Sequence, residues 1–360
     1  MIYLIIIFGM YLTVAGAIAS AFFRTNMRIE LAPMEGITSY IYRQTLNKYY
    51  GGVDTYFTPF ISTHKDKELN FKEKNEIRPE NNVGMTLVPQ VLTANADEFL
   101  YTSGKIATFG YDHVNINFGC PSGTVTTKGK GSGALQDLEN LDRVLNQIFS
   151  RTELKVSIKT RLGFTNESEW ENILKIYEKY PLEELIVHAR VREDFYNGSA
   201  RIEAMKFCST DFDVIRGSNE ITGRTECGNC KYSYNGDVYS FDDYVKVSER
   251  FSNLDAVMIG RGIIARPWLA AEIKKKTGGS DFIQAEGVNT SDGLETFKAF
   301  NLELVDRYDE IMPGEKNTLF KVKELWTYMI HPFDDDKKLI KAVRKCSSIR
   351  DYRLIINSLR

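Results

Sequence analysis

Asp112-His113-Val114-Asn115-Ile116-Asn117-Phe118-Gly119-Cys120-Pro121 reads as a short strand that stops abruptly at a glycine, a cysteine and a proline. Apolar Val114, Ile116 and Phe118 alternate with polar residues, the period of a pleated strand with two different faces. Working outward from it, seven more runs of this kind lie between Met27 and about Lys276: Arg28–Ala32, Asp54–Pro59, Gly84–Val91, Leu154–Lys159, Glu184–His188, Lys231–Tyr234 and Ala256–Gly260. Amphipathic stretches separate them, among them Tyr40–Tyr50, Ala96–Phe109, Asp137–Phe149, Ser168–Lys179, Phe241–Phe251 and Arg266–Lys276. Eight strands each followed by a helix predict an α/β fold of the (β/α)8 TIM-barrel type, whose chemistry sits at the C-terminal ends of the strands. An open doubly wound sheet would carry a glycine-rich dinucleotide turn after an early strand, and this chain has none.

The 360 residues divide unevenly around that barrel. Residues 27–280 are expected to form it. After a polar linker near Thr277–Asp292, strand-like runs cease, and residues 290–360 are expected to form a smaller all-helical domain. Residues 1–26 stand apart. Met1–Phe23 holds no charged residue and is long enough to cross a bilayer as a helix. Two readings remain open: translation that begins at Met27, or a membrane anchor that leaves the rest cytoplasmic because Arg24 and Arg28 follow it. A stretch of ten to fifteen residues around Ile215–Glu226 exceeds ordinary loop lengths, about 2–6 residues in such units, and reads as an insertion.

With 43% hydrophobic residues and five cysteines, the composition excludes disorder and a disulfide scaffold. Cys227 and Cys230 form a CxxC pair without the second pair that a zinc ribbon needs, so no metal site is expected. The net charge of −2 conceals a segregation. Lys337 to Arg360 carry eight basic residues and one acidic, a net of +7, which leaves −9 for the rest of the chain. Lys337, Lys341, Arg344 and Lys345 recur at helical spacing, a face suited to phosphates of a nucleic acid.

The strand ends hold the chemistry. Cys120 lies on a loop at the barrel mouth, where a thiol can donate a proton, and glycine-rich Lys128–Gly133 offers Lys128 and Lys130 to phosphates. Lys159 ends an apolar strand and can hold negative charge on a cofactor ring. Gln90 supplies an amide at the same rim, and the turns Asn235-Gly236-Asp237 and Gly260-Arg261 come after strands seven and eight, where barrels commonly bind phosphate.

In order along the chain, Ala32-Pro-Met-Glu-Gly-Ile-Thr38, Tyr42-Arg43, Pro89-Gln90, Asn117-Phe-Gly-Cys-Pro121, Lys159-Thr-Arg161, His188-Ala-Arg190, Tyr196-Asn-Gly198, Asn235-Gly-Asp237 and Gly260-Arg-Gly262 resemble the tRNA-dihydrouridine synthase family. That resemblance implies an FMN enzyme that uses NADPH or NADH to reduce the C5–C6 bond of particular uridines in tRNA. It implies Cys120 as proton donor and Pro33, Met34, Glu35, Gln90, Lys159, His188, Asn235, Gly236, Asp237, Gly260 and Arg261 as the FMN site. Asn117, Lys128, Lys130, Arg190 and the basic helix are then expected at the tRNA, with no obligate protein partner and a cytoplasmic location. Ala189, Val191 and Thr93-Ala94 depart from the family's usual residues. A small-molecule FMN barrel of the dihydroorotate dehydrogenase type is the alternative, since some carry an N-terminal membrane helix.

Overall fold

The computed structural model describes residues 27–65, 68–208, 230–251, 253–278, 287–333 and 336–360. The N-terminal segment, the stretch around Ile215–Glu226 and Cys227 lie outside the described residues. The parallel strands are β1 (Arg28–Leu31), β2 (Thr55–Phe57 with Ile61–Ser62), β3 (Leu87–Val88 with Gln90–Leu92), β4 (His113–Phe118), β5 (Lys155–Gly163), β6 (Glu184–Val191), β7 (Lys231–Asn235) and β8 (Ala256–Ile259). β1 pairs with β8 on one side and with the first half of β2 on the other. The halves of β2 pair in turn with the halves of β3, Tyr56 beside Leu87 and Ile61 beside Val91. The ring therefore closes. Thr58 N–H to the Val88 carbonyl (3.3 Å) and Thr58 Oγ1 accepting from Gln90 N–H (3.0 Å) stitch the seam where both strands are interrupted. Pro89, which has no N–H, sits at one of these interruptions.

The helices are α1 (Tyr40–Tyr49), α2 (Phe71–Ile77), α3 (Ala96–Ala107), α4 (Leu138–Phe149), α5 (Trp170–Tyr177), α6 (Phe241–Arg250), α7 (Arg261–Ala265) and α8 (Leu269–Lys276) around the barrel, then α9 (Ser291–Ile311), α10 (Glu315–Met329), α11 (Lys337–Lys345) and α12 (Ile349–Asn357). The predicted helix Arg266–Lys276 is broken at its start. Pro267 disfavours helical backbone at the residue before it, and Arg266 accordingly has φ −131° and ψ 85°, which separates α7 from α8. β5 and β6 run three or four residues beyond their predicted ends, because Arg161 and Arg190 remain in the ladder with their guanidinium groups turned onto protein acceptors.

Two apolar cores result. The larger fills the space between strands and helices, with Ile29, Val114, Ile116, Val156, Ile158, Val187 and Val257 from the outer faces of the strands. Inside the barrel, among the described residues, Ala32, Phe57, Val88, Ile186 and Met258 form a small cluster, and many of the other inward positions are polar, among them Glu30, Gln90, Asn115, Ser157 and Ser233. The C-terminal helices dock through α9. Phe300 meets the rings of Tyr42, Tyr49 and Tyr50 at 5.5–6.0 Å, each edge-on, and the Tyr308 hydroxyl lies 3.0 Å from Ser39 Oγ. Trp326 on α10 donates from Nε1 to Asn301 Oδ1 (3.1 Å) and to the Tyr352 hydroxyl (2.9 Å), which ties α9, α10 and α12 together. This docking carries α10 over the C-terminal mouth of the barrel.

Candidate active site

A cavity of about 380 Å³ opens at that mouth. Its floor and walls include Pro33, Met34 and Glu35 after β1, Asn117 and Cys120 after β4, Lys159 on β5 and His188 on β6, seven of the residues expected from the sequence. Arg161, Phe195 and Tyr196 join them, and Glu324 and Tyr328 reach in from α10. Sequence reasoning gave these five no role. Arg161 and Tyr196 lay within quoted motifs, which was a usable signal, but nothing local marks Glu324 or Tyr328, because only the docking of α10 brings them there.

The Cys120 main chain is held on both sides. Its N–H and that of Gly119 donate to Asn117 Oδ1 at 2.8 and 3.0 Å. Its carbonyl accepts from Ser132 N–H (3.1 Å) and Ser132 Oγ (2.9 Å). Burial pushes the thiol up, against the pull of a main-chain hydrogen bond and of Arg161 and Lys159, so Sγ keeps its proton at neutral pH.

Lys159 makes no hydrogen bond or ion pair with the described residues. Burial and the neighbouring charge of Arg161 lower its ammonium to about 7. Arg161, lowered to about 10 chiefly by burial, donates from Nε to the Gly119 carbonyl (2.9 Å) and from Nη1 to the Val191 carbonyl (2.8 Å). Its guanidinium lies 5.6 Å from the Tyr196 ring centre, and that of Arg261 lies 4.9 Å from it. His188 is driven well below its ordinary value by burial and then by Arg161, Lys159, Arg190 and Arg261, which leaves a neutral imidazole.

Four of the expected site residues bond to other groups of the protein. Gln90, expected to present its amide to a flavin edge, has no exposed surface. Its carboxamide bonds Asn115 and Asn117, both at 2.8 Å. Arg190, expected to contact RNA, is buried and doubly bonded to Asp237 (2.6 and 3.1 Å), with further bonds to the carbonyls of Asn197 and Gly198. Asp237, expected to bind FMN, is held by Arg190 and by Arg261 (2.7 Å). Burial opposes ionisation there, but these partners win and hold its carboxyl below the usual range. Lys130, expected to meet phosphate, donates instead to Thr63 O (2.8 Å) and Thr63 Oγ1 (3.1 Å), because its loop folds back against the end of β2.

The remaining predicted residues adjoin the cavity or lie away from it. A Cβ on Gly260 would stand 3.3 Å from the Met34 sulfur, so the turn after β8 packs directly on the β1 loop. Asn235 donates to the Met258 carbonyl (2.8 Å), and Gly236 leaves room for the Tyr234 hydroxyl, which a Cβ would strike at 2.0 Å. Lys128 is exposed. On α11, Lys337, Lys341, Arg344 and Lys345 are exposed while Leu339 and Val343 are buried, and none of the four basic groups forms an ion pair with the described residues.

The sequence matches the family described as Dihydrouridine synthase (Dus) over residues 30–286. The chain belongs to the dihydrouridine synthase family. It is 27% identical over 342 residues to a tRNA-dihydrouridine(16) synthase of Neisseria meningitidis, an alignment that covers 93% of this chain and 95% of that protein. It is 27% identical over 248 residues to tRNA-dihydrouridine synthase B of Pasteurella multocida, covering 69% of each chain. It is 25% identical over 339 residues to a probable tRNA-dihydrouridine synthase of Staphylococcus aureus, covering 91% of this chain and 89% of that one. The family match spans nearly all of the barrel, and two of these alignments cover more than nine tenths of this chain. Among the described residues, no helix is long and apolar enough to cross a membrane, and no group of three or more His, Cys, Asp and Glu could hold a metal ion.

Proposed function

We propose that the protein is an FMN-dependent tRNA-dihydrouridine synthase of the cytoplasm that takes its electrons from NADPH or NADH. What carries this reading is one juxtaposition: a protonated thiol, Cys120, and the amine of Lys159, which has no partner among the described residues, line one cavity at the barrel mouth. FMN fits that cavity because Lys159 has no competing carboxylate among the described residues, and when bound it would supply a hydride to C6 of the uracil. Lys159 would face the electron-rich edge of the isoalloxazine. His188, neutral and therefore free of charge repulsion from Lys159 and Arg161, would contribute a hydrogen bond. Arg261 and the turns after β7 and β8 would meet the phosphate, with Asp237 and Arg190 holding Arg261 in place. Cys120 Sγ would hold the proton that C5 receives. The target base must leave its stack to enter the pocket, at a cost of a few kcal/mol. Asn117 would bond the base, Tyr196 lies at the entrance, and Lys128 with the exposed face of α11 would hold the RNA backbone.

Dihydrouridine mapped in tRNA from cells with and without the gene tests the reading directly. Loss at one or more positions is the expected result, and unchanged levels at every position in cells holding no second synthase would overturn it.

The Lys159 value gives a sign for the pH dependence of flavin binding. Below about pH 7 the ammonium is already charged, so an anion binds without proton uptake. Above about pH 7 the free protein carries neutral Lys159, and binding must take up a proton. FMN affinity, followed by flavin fluorescence quenching, is therefore expected to fall between pH 7 and 9 by up to about tenfold per unit. In Lys159→Met binding is weaker and this slope disappears; an equal slope in the variant would remove Lys159 from the flavin site.

A further inference from the structure

Across the inner face of β3, β4 and β5 runs an unbroken chain of side-chain hydrogen bonds that starts at the Cys120 loop. Asn117 Oδ1 accepts from the two main-chain N–H groups, Asn117 Nδ2 donates to Gln90 Oε1, and Gln90 Nε2 donates to Asn115 Oδ1. Asn115 Nδ2 then donates to Ser157 Oγ, and Ser157 Oγ lies 2.8 Å from His113 Nε2 at the opposite end of β4. The three side-chain bonds between Asn117 and Ser157 are each 2.8 Å long, and Gln90, Asn115 and Ser157 have no exposed surface.

The direction of this chain follows from its first link. A main-chain N–H can only donate, so Asn117 must turn its oxygen to Gly119 and Cys120 and its nitrogen to Gln90. That choice fixes the orientation of Gln90, then of Asn115. Ser157 could accept a second bond, but His113 Nε2 is the one acceptor beside its buried hydroxyl among the described residues, so the hydroxyl hydrogen is satisfied by donation to Nε2, which places the imidazole proton on Nδ1. Burial lowers His113 to about 4, so the ring is neutral and has a tautomer to choose.

We propose that Gln90, Asn115, Ser157 and His113 are positioning residues for Cys120, a relay of single polarity that fixes the Asn117 carboxamide and through it the main chain that carries the thiol. A displacement of about 1 Å at a reacting group costs about a hundredfold in rate. A half-matched buried network is also worse than none, because each unpaired amide keeps its full desolvation cost. The proposal rests on Cys120 as proton donor in its kinetic part only.

The tautomer is read on the whole protein by nitrogen-15 NMR of its four histidines, with His113 assigned by loss of its signal in His113→Asn. The wild type is expected to carry the proton on Nδ1. In Asn117→Asp at pH 8 the second carboxylate oxygen faces Gln90, so Gln90 and Asn115 turn over, Ser157 donates to Asn115, and His113 must donate from Nε2. Asn115→Asp forces the same switch from a position outside the cavity and serves if the first variant does not fold. A wild-type proton on Nε2, or Nδ1 retained in both variants, overturns the relay. In the kinetic arm Ser157→Ala is expected to lower kcat about tenfold at unchanged KM for tRNA, with most of it restored in Ser157→Thr. Full kcat in Ser157→Ala overturns the positioning role. Because the NMR arm needs no turnover, its outcome stands whether or not uridine is the substrate.

Discussion

Replacing Cys120 by Ala is expected to leave flavin bound and to slow uridine reduction by about 10²–10⁴-fold, the usual contribution of a positioned general acid. The flavin should stay because the bonds that order this loop are main-chain bonds: Asn117 holds the N–H of residue 120 and Ser132 its carbonyl, and neither uses the thiol. The reduction of flavin by NADPH or NADH should likewise be unaffected, since no proton reaches the uracil in that half of the reaction. A second signature distinguishes lost proton donation from lost packing. The active form is the protonated thiol and burial raises its pKa, so with FMN saturating at every pH wild-type turnover should be flat through neutrality and fall only above the ordinary thiol range. That alkaline limb should be missing in Cys120→Ala. Full activity in the variant would show that the proton comes from elsewhere.

The largest effect on stability is expected from Arg43→Met. Arg43 and Glu76 are both buried, and the guanidinium makes four hydrogen bonds: to the Thr38 carbonyl (2.8 Å), Glu76 Oε2 (2.9 Å), the Glu76 carbonyl (2.7 Å) and Asn82 Oδ1 (3.0 Å). The same Glu76 oxygen accepts the Tyr40 N–H at the start of α1 (2.9 Å). One side chain thus joins the loop after β1, which carries Pro33, Met34 and Glu35, to α1 and to the end of α2. Methionine fills much of the volume but leaves Glu76 as a buried carboxylate without its counter-charge. Breaking such a pair on one side costs about 3–5 kcal/mol, a large part of the 5–15 kcal/mol that holds a typical domain folded. Denaturant titration should show the midpoint falling with little change in slope, and an unchanged midpoint would mean that Glu76 protonates at little cost.

The barrel was legible because its outward strand faces are plain. Val114, Ile116, Val156 and Ile158 alternate along strands whose helices are amphipathic, and all eight strands lie where that alternation places them. The inward faces were harder to read. Gln90, Arg190, Asp237 and Lys130 all carry groups suited to ligands, and the sequence shows nothing of the partners that occupy them. Each partner, Asn117 for Gln90 or Thr63 for Lys130, belongs to another βα unit and is set by tertiary register. The helix α2 was missed although its signal is local: Asn70 and Glu73 form a capping box, with Asn70 Oδ1 accepting from Glu73 N–H (3.0 Å) and Glu73 Oε2 from Asn70 N–H (2.9 Å). Its seven residues are too few for periodicity to stand out. The strands continue past the expected ends at Lys159 and His188 because the guanidinium groups of Arg161 and Arg190 find carbonyl or carboxylate acceptors inside, which the sequence does not show.

The placement of Glu324 and Tyr328 over the cavity also bears on how the protein is made. Pro33, Cys120, Lys159 and His188 leave the ribosome before α10, so the pocket they line lacks its roof until synthesis has passed Tyr328 and α9 has docked on α1. Cofactor capture by a nascent or truncated chain would meet an open cup, so the chain's own order of emergence favours building the scaffold before the enclosure.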